Sequence, residues 1–335
     1  MQKPQYDFTP LFSMVMESIT FTAVLNGLRL GVFEAVAKSP RQASPLAEEL
    51  GLQPQALQSL LELLAANGLL TEDAGEFSIT PLAQEFLVAS SPFFQGQFLE
   101  LHNMFNVFIE SDMAALLRGD ASKRQVTDDS WSDHDNMRGT MQHALLGELQ
   151  DTVALIMDLP GFSGMRVMCD VGGNHGEFSM ALLEANPDLR AELMDLPRVA
   201  EVATERIAER GFSDRMTAHA CDLRTETLPV DHYDLVLASH ILYGFTDQLE
   251  SFLGVIHDSL RSGGWFVAQH MDPASALPGT VKASINLITR LAGYKAHFIG
   301  QEQLEKALQS AGFGEFRTGP AGIGESGLVM AARKK

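Results

Sequence analysis

The most constraining stretch of this chain is residues 167–197, VMCDVGGNHGEFSMALLEANPDLRAELMDLP. An apolar run ends in Asp170, a turn with Gly172, Gly173 and Gly176 follows, and a helical pattern begins at once. Glycines in such a turn let the backbone approach a ligand closely, and the helix N-terminus behind them offers unpaired N–H groups. The next apolar run ends in Asp195, about twenty residues beyond the loop, where doubly wound sheets place a carboxylate on ribose hydroxyls. Strand, glycine turn, helix and strand in this order call for a parallel α/β sheet with crossover helices.

The alternation continues to the end of the chain. Strands are expected at 166–171, 191–195, 216–221, 234–239, 264–271, 314–319 and 327–332, with helices between the first five. Only the short GPAGIGESG joins the last two, which predicts an antiparallel pair. The third strand ends near another carboxylate, Asp222. One Asp at a strand end commonly caps the following turn, but three at successive strand ends of one sheet point to a ligand. Acidic strand ends would repel a pyrophosphate. They suit S-adenosylmethionine (SAM), a sulfonium with an ammonium group, an adenosine and no phosphates. Asp170 then faces the ammonium, Asp195 the ribose and Asp222 the adenine amino group.

The chain has 335 residues, more than one core usually organises. Three segments are expected: a helical, winged-helix-like domain at 1–95, a helical linker and substrate-lining segment at 96–155, and a Rossmann-like domain at 156–335. Residues 11–37 have helical periodicity and few charges, so they need a partner within the chain or in a second copy. Ser44 before Pro45 reads as a helix cap, and a second helix runs from about Pro54 to Asn67, closed by Gly68. GLLTEDAGEFSIT reads as a two-stranded wing turning at Ala74-Gly75, and Thr80-Pro81 opens a further helix. Residues 97–155 read as mainly helical, with a polar loop around 119–135.

A helix–turn–helix with a wing also suggests DNA binding, but residues 51–70 hold no Lys or Arg. The whole chain has 24 Lys plus Arg against 43 Asp plus Glu, a net charge of −19 that repels phosphate backbones. Nucleic acid is excluded on that ground. The apolar stretch 11–28 is interrupted by Glu17, Thr20, Thr22 and Asn26, unlike a signal peptide or a membrane span, so a cytoplasmic setting is expected. Cys169 and Cys221, the only cysteines, offer no zinc spacing, and no metal is expected. If the first and third strands flank the second, the two thiols stand about 10 Å apart, beyond disulfide reach.

Together the helical N-terminal domain, DVGGNHG, MDLP and the GF ending at Phe313 resemble the caffeate-type O-methyltransferase family of plants and bacterial secondary metabolism. The resemblance covers nearly the whole chain and implies a homodimeric SAM-dependent methyltransferase acting on a small molecule. It places Asp170, Gly172, Gly173 and Gly176 at the methionine end, Asp195 and Leu196 at the ribose, and Asp222 and Leu223 at the adenine. Ser239, ending the fourth strand, joins the cofactor set.

The catalytic positions depart from that pattern. Family members that methylate oxygen carry a His–Asp–Trp run after the fourth strand, where this chain reads SHILYGFTD, so the base position falls on Tyr243. Two supporting glutamates fall on Gln269 and near Ala296. A phenol or alcohol must lose a proton, whereas a thioether has none to lose and a carbon nucleophile can be activated otherwise. The substitutions therefore predict an acceptor that needs no strong base. The run HILY also resembles bacteriochlorophyllide C-methyltransferases, whose corresponding residue is Tyr. The rival reading is an ordinary O-methyltransferase with His240 or His270 as base; a third is a SAM-binding member turned to hydroxylation or decarboxylation. Met137, Arg138, Met141, Asn286 and Arg290 are the substrate-side candidates, the two arginines for an anionic substrate. The null for the methionines is core packing and for the arginines a solvated charge. His297 is expected in a loop beyond the site.

Overall fold

The computed structural model describes residues 2–124 and 128–335 and divides into two compact units, Met1–Glu100 and Leu101–Lys335. In the first, the apolar N-terminal stretch forms two helices, not one: α1 (Thr9–Arg29) and α2 (Val32–Lys38) break at Gly31, whose φ of 73° is left-handed. Of α1 only Leu25 and Gly27 are buried, while Leu11, Phe12, Met14, Val15, Met16 and Ile19 stay exposed. By length and composition α1 would also cross a bilayer. Helices α3 (Ala43–Leu50) and α4 (Pro54–Ala66) follow. The cap of α3 is Gln42 and not Ser44, because Arg41 exchanges both backbone hydrogen bonds with Phe77 and so sets where the chain enters the helix. Helix α4 ends as expected, with Gly68 at φ 72° and Leu69 N–H donated back to the Leu64 carbonyl at 3.0 Å.

The strands β1 (Leu70–Asp73) and β2 (Glu76–Ile79) pair through a turn in which Ala74 and Gly75 both have positive φ. Thr80 Oγ1 caps α5 (Pro81–Phe86), accepting from Ala83 N–H at 3.3 Å. Val32, Phe33, Val36, Leu46, Leu61, Leu64 and Phe77 form the core of this unit.

Helix α6 (Gly96–Leu117) leads to α7 (His134–Ala144) and α8 (Glu148–Met157). The polar loop expected at 119–135 holds two short 3₁₀ turns, Ala121–Lys123 and Asp128–Ser132, while residues 125–127 lie outside the described residues. The remaining chain is a seven-stranded sheet with helices between strands. It comprises β3 (Val167–Val171), α9 (Glu177–Ala185), β4 (Arg190–Asp195), α10 (Pro197–Glu209), β5 (Met216–Ala220), β6 (Tyr233–Ser239) and α11 (Leu249–Ser259). Then come β7 (Leu260–Met271), α12 (Gly279–Leu291), α13 (Gln301–Ser310), β8 (Phe313–Ala321) and β9 (Gly327–Lys334).

The strand order is β5-β4-β3-β6-β7-β9-β8, with the first five parallel and β9 antiparallel to both neighbours. Successive residues alternate between two buried faces. Met168, Leu193, Leu235 and Val267 pack on one, and Cys169, Val171, Val236 and Phe266 on the other. Both cysteines are free. Chain order reverses between β3 and β6, and a crevice opens at the carboxyl ends of strands at such a point.

Candidate active site

The glycine loop crosses that crevice. Gly172 and Gly176 hold φ of 65° and 73°, and Gly172 N–H donates to the Met194 carbonyl at 2.7 Å, tying the loop to β4. A Cβ on Gly173 would come within 2.7 Å of Asp170 Cγ and 2.8 Å of Leu193 Cγ, so a side chain there is excluded. Asp195 accepts from Asn174 N–H at 2.9 Å and from Leu196 N–H at 2.8 Å, and burial still pushes its carboxyl up to about 6. Asp170 is 1% exposed and accepts from Ser179 Oγ at 2.7 Å. Burial, against that one hydroxyl, drives Asp170 up to about 7. A buried carboxyl this poorly neutralised suits a cation, and the SAM ammonium is one; the ribose hydroxyls of the same molecule suit Asp195. The cradle and its donor set fit the cofactor.

At the expected adenine end Arg224 grips Asp222 through two 2.8 Å contacts and reaches Asp128 at the same distance. Arg224 chiefly holds the Asp222 carboxyl below its ordinary range. Leu223 packs against the core face that carries Val236. Ser239 Oγ donates to Gln269 Oε1 at 2.7 Å, so it is tied to β7.

A second cluster is built from β6, β7, α7, α8 and the segment after α12, where the acceptor is expected. Tyr243 lies in the short turn Leu242–Phe245, its ring stacked on His297 at 5.0 Å and edge-on to Tyr294 at 5.1 Å. Burial pushes the Tyr243 phenol well above its usual range, so at neutral pH it is a proton-bearing group. His240 has φ 51°, donates its backbone N–H to the Gln269 carbonyl at 2.8 Å, and sets Nε2 3.0 Å from Glu148 Oε2. Glu148 is the first residue of α8, where a helix N-terminus favours an anion, and its side chain is 2% exposed. Burial opposes its charge, but His240 and His143 outweigh burial and draw the carboxyl down to about 2. Burial likewise disfavours protonated His240, yet Glu148 prevails and raises it above the usual histidine value. His143 Nδ1 stands 3.7 Å from the same Glu148 oxygen, and the His297 ring lies 6.3 Å from that of His240.

Several expected residues sit elsewhere. His270 is 2% exposed with Nε2 2.9 Å from the Ile299 carbonyl, and burial first, with His240 also contributing, lowers it to about 4. It is a neutral buried histidine, poorly placed as a base. Gln269 is fully buried, an internal brace under Ser239 and His240. Met141 faces Arg206 on α10 with Sδ 2.7 Å from Nη2, and Met137 is buried, so both pack within the protein. On the next face of α7, Thr140 meets Asn174 of the cofactor loop at 3.2 Å and His143 meets Glu148. Arg138 and Arg290 are exposed, as solvated charges would be, and Asn286 is half-buried on α12. His297 is inside the site, held by Thr289 Oγ1 at 3.1 Å. Glu148 and His143 escaped sequence reading because only the approach of α7 and α8 to the end of β6 brings them to His240.

Residues 128–313 match the O-methyltransferase domain and residues 11–89 the O-methyltransferase dimerisation domain. The chain belongs to the O-methyltransferase family. It is therefore a SAM-dependent small-molecule methyltransferase. Among its relatives is 3-hydroxy-5-methyl-1-naphthoate 3-O-methyltransferase of Streptomyces sahachiroi, 28% identical over 97% of this chain and 94% of that one. Bacteriochlorophyllide d C-20 methyltransferase of Chlorobaculum tepidum is 27% identical over 73% of each chain. A solved O-methyltransferase-like protein of Nostoc punctiforme shares the fold at a TM-score of 0.83 and 20% identity, covering 99% of this chain and all of that chain.

Proposed function

We propose that this methyltransferase acts on a protic acceptor, a hydroxyl foremost, with His240 as general base and Glu148 behind it. The observation that carries this is the 3.0 Å contact between His240 Nε2 and the buried Glu148 carboxylate. It replaces the expectation of a site without a base, which rested on Tyr243 standing at the family's base position. With Nε2–H donated to Glu148, Nδ1 is left with the lone pair, and the His240 side chain keeps 26% of its accessibility. The acceptor O–H gives its proton to Nδ1 as the oxygen takes the methyl group, and Glu148 stabilises the imidazolium formed. Bound SAM supplies an electrophilic methyl on a sulfonium, and its product is a neutral thioether. Tyr243, proton-bearing and stacked on His297, orients the acceptor and donates a hydrogen bond to it.

The test compares His240→Asn and Glu148→Gln with the wild type. Asparagine tolerates the left-handed backbone at position 240. Turnover should fall by about 10²–10⁴ in His240→Asn, the usual range for a positioned base. Unchanged turnover would return thioether or carbon acceptors to first place.

Three further readings belong to this proposal. The exposed apolar face of α1 is covered by a second copy, a homodimer, since residues 11–89 carry the family's dimerisation domain. The winged-helix reading of residues 44–79 and the cytoplasmic setting are supported by the β1–β2 turn, by two free cysteines and by the net charge of −19.

A further inference from the structure

We propose that His143, Glu148 and His240 form a binding site for a first-row divalent cation, Zn²⁺ foremost. One ligand atom from each lies within 4.8 Å of the other two. Donors around a tetrahedral ion at ordinary zinc distances stand about 3.4 Å apart. The separations of His240 Nε2 and His143 Nδ1 from Glu148 Oε2, 3.0 Å and 3.7 Å, bracket that value. A small closure of the His143 ring completes the geometry.

The second observation is an unsatisfied carboxylate. Glu148 Oε1 is buried and has no hydrogen-bond partner among the described residues. Gln269, whose amide acts on the same carboxylate, also has its Nε2 without a hydrogen-bond partner. Two imidazoles and one carboxylate are the donor set of open zinc sites, with a fourth position for water or a ligand. The histidines, 28% and 26% accessible, leave that position reachable. The frame is rigid: Glu148 opens α8, His143 sits in the last turn of α7, and Gln269 fixes the His240 backbone.

Occupancy has a chemical consequence. The ion takes Glu148 Oε2 and His240 Nε2, so the one proton of the neutral imidazole moves to Nδ1, the atom that would accept the proton of the substrate. Metal binding and proton abstraction therefore exclude each other, and Zn²⁺ is an inhibitor at this site. That second statement rests on the base assignment; the binding site does not.

The experiment is a Co²⁺ titration of the full-length protein after chelator treatment, read by visible d–d absorption. The expected result is one Co²⁺ per chain with a four- or five-coordinate spectrum. His143→Ala should weaken binding at least tenfold while SAM affinity, measured as a folding control, is retained. Absence of a stoichiometric site in the wild type, or equal affinity in His143→Ala, overturns the proposal. Zn²⁺ should inhibit wild-type turnover saturably and His143→Ala only at correspondingly higher concentration. If Co²⁺ binds as described and Zn²⁺ leaves turnover intact, the site stands and the base assignment falls. If His240→Asn is inactive and the wild type takes up no Co²⁺, the reverse holds.

Discussion

Replacing Asp170 by Asn should make the cofactor-free protein more stable at neutral pH and worse at binding SAM. The carboxyl is buried, accepts from Ser179 and is raised from 3.8 to about 7. A carboxyl raised on folding is neutral in both states below its unfolded pKa. It loses stability as pH climbs from there through the folded value, because the unfolded chain ionises first. Three pKa units at 1.36 kcal/mol each put the cost of charging Asp170 at about 4 kcal/mol once the pH is above 7. At about pH 5.5 the same linkage gives roughly 2 kcal/mol, so the Asn advantage should widen by about 2 kcal/mol between pH 5.5 and 8. Urea denaturation of both proteins at the two pH values, without SAM, measures this. With saturating SAM the Asn advantage should shrink by about 1.5–3 kcal/mol, since the wild type regains a charge-assisted contact with the ammonium. Equal pH dependence in the two cofactor-free proteins would refute the account, as would unchanged SAM affinity by calorimetry.

Asp195→Ala should weaken SAM binding by roughly 1–3 kcal/mol through unpaired ribose hydroxyls, measured by calorimetry. The kcat of the wild type should rise with pH through an ionisation above the ordinary histidine value of about 6.5, because His240 must be neutral to act and Glu148 holds its proton on. Glu148→Gln should move that ionisation downward, and a profile unmoved by the substitution would detach Glu148 from the base. Tyr243→Phe should lower kcat modestly and leave the pH profile in place; a severe loss would make the phenol a proton donor. Light scattering should give a dimer of the 36.6 kDa chain at micromolar concentration, and a charged residue at Leu11 or Val15 should shift it toward monomer.

The glycine loop and its flanking aspartates were legible because they are written locally. A strand, three glycines, a helix start and an aspartate at the next strand end are contiguous, and each has a physical reason to be where it is. The β1–β2 turn at Ala74-Gly75 and the Thr80 cap were legible for the same reason. The cluster around His240 was not, because its geometry is made by distant segments. Glu148 is one acidic residue at a helix start, and nothing local marks it as the partner of a histidine 92 positions later. His297 lies in a loop, as expected, but Tyr243 stacks on it and draws it into the cluster. Ser44 carried every mark of a cap and lost that role to a backbone bridge between Arg41 and Phe77.

The left-handed backbone of His240 limits how this site can change. At φ 51° a β-branched or bulky residue would strain the end of β6, whereas Gly, Asn, Asp and His are tolerated there. Of those four, only His and Asp accept a proton readily, and Asp would stand against Glu148 with like charge. With His240 as the proposed base, single substitutions that keep the strand end intact lead from a base to no base, with little between. A descendant of this chain that moved to an acceptor without an acidic proton could do so by one such step, leaving the glycine loop and its aspartates as they are.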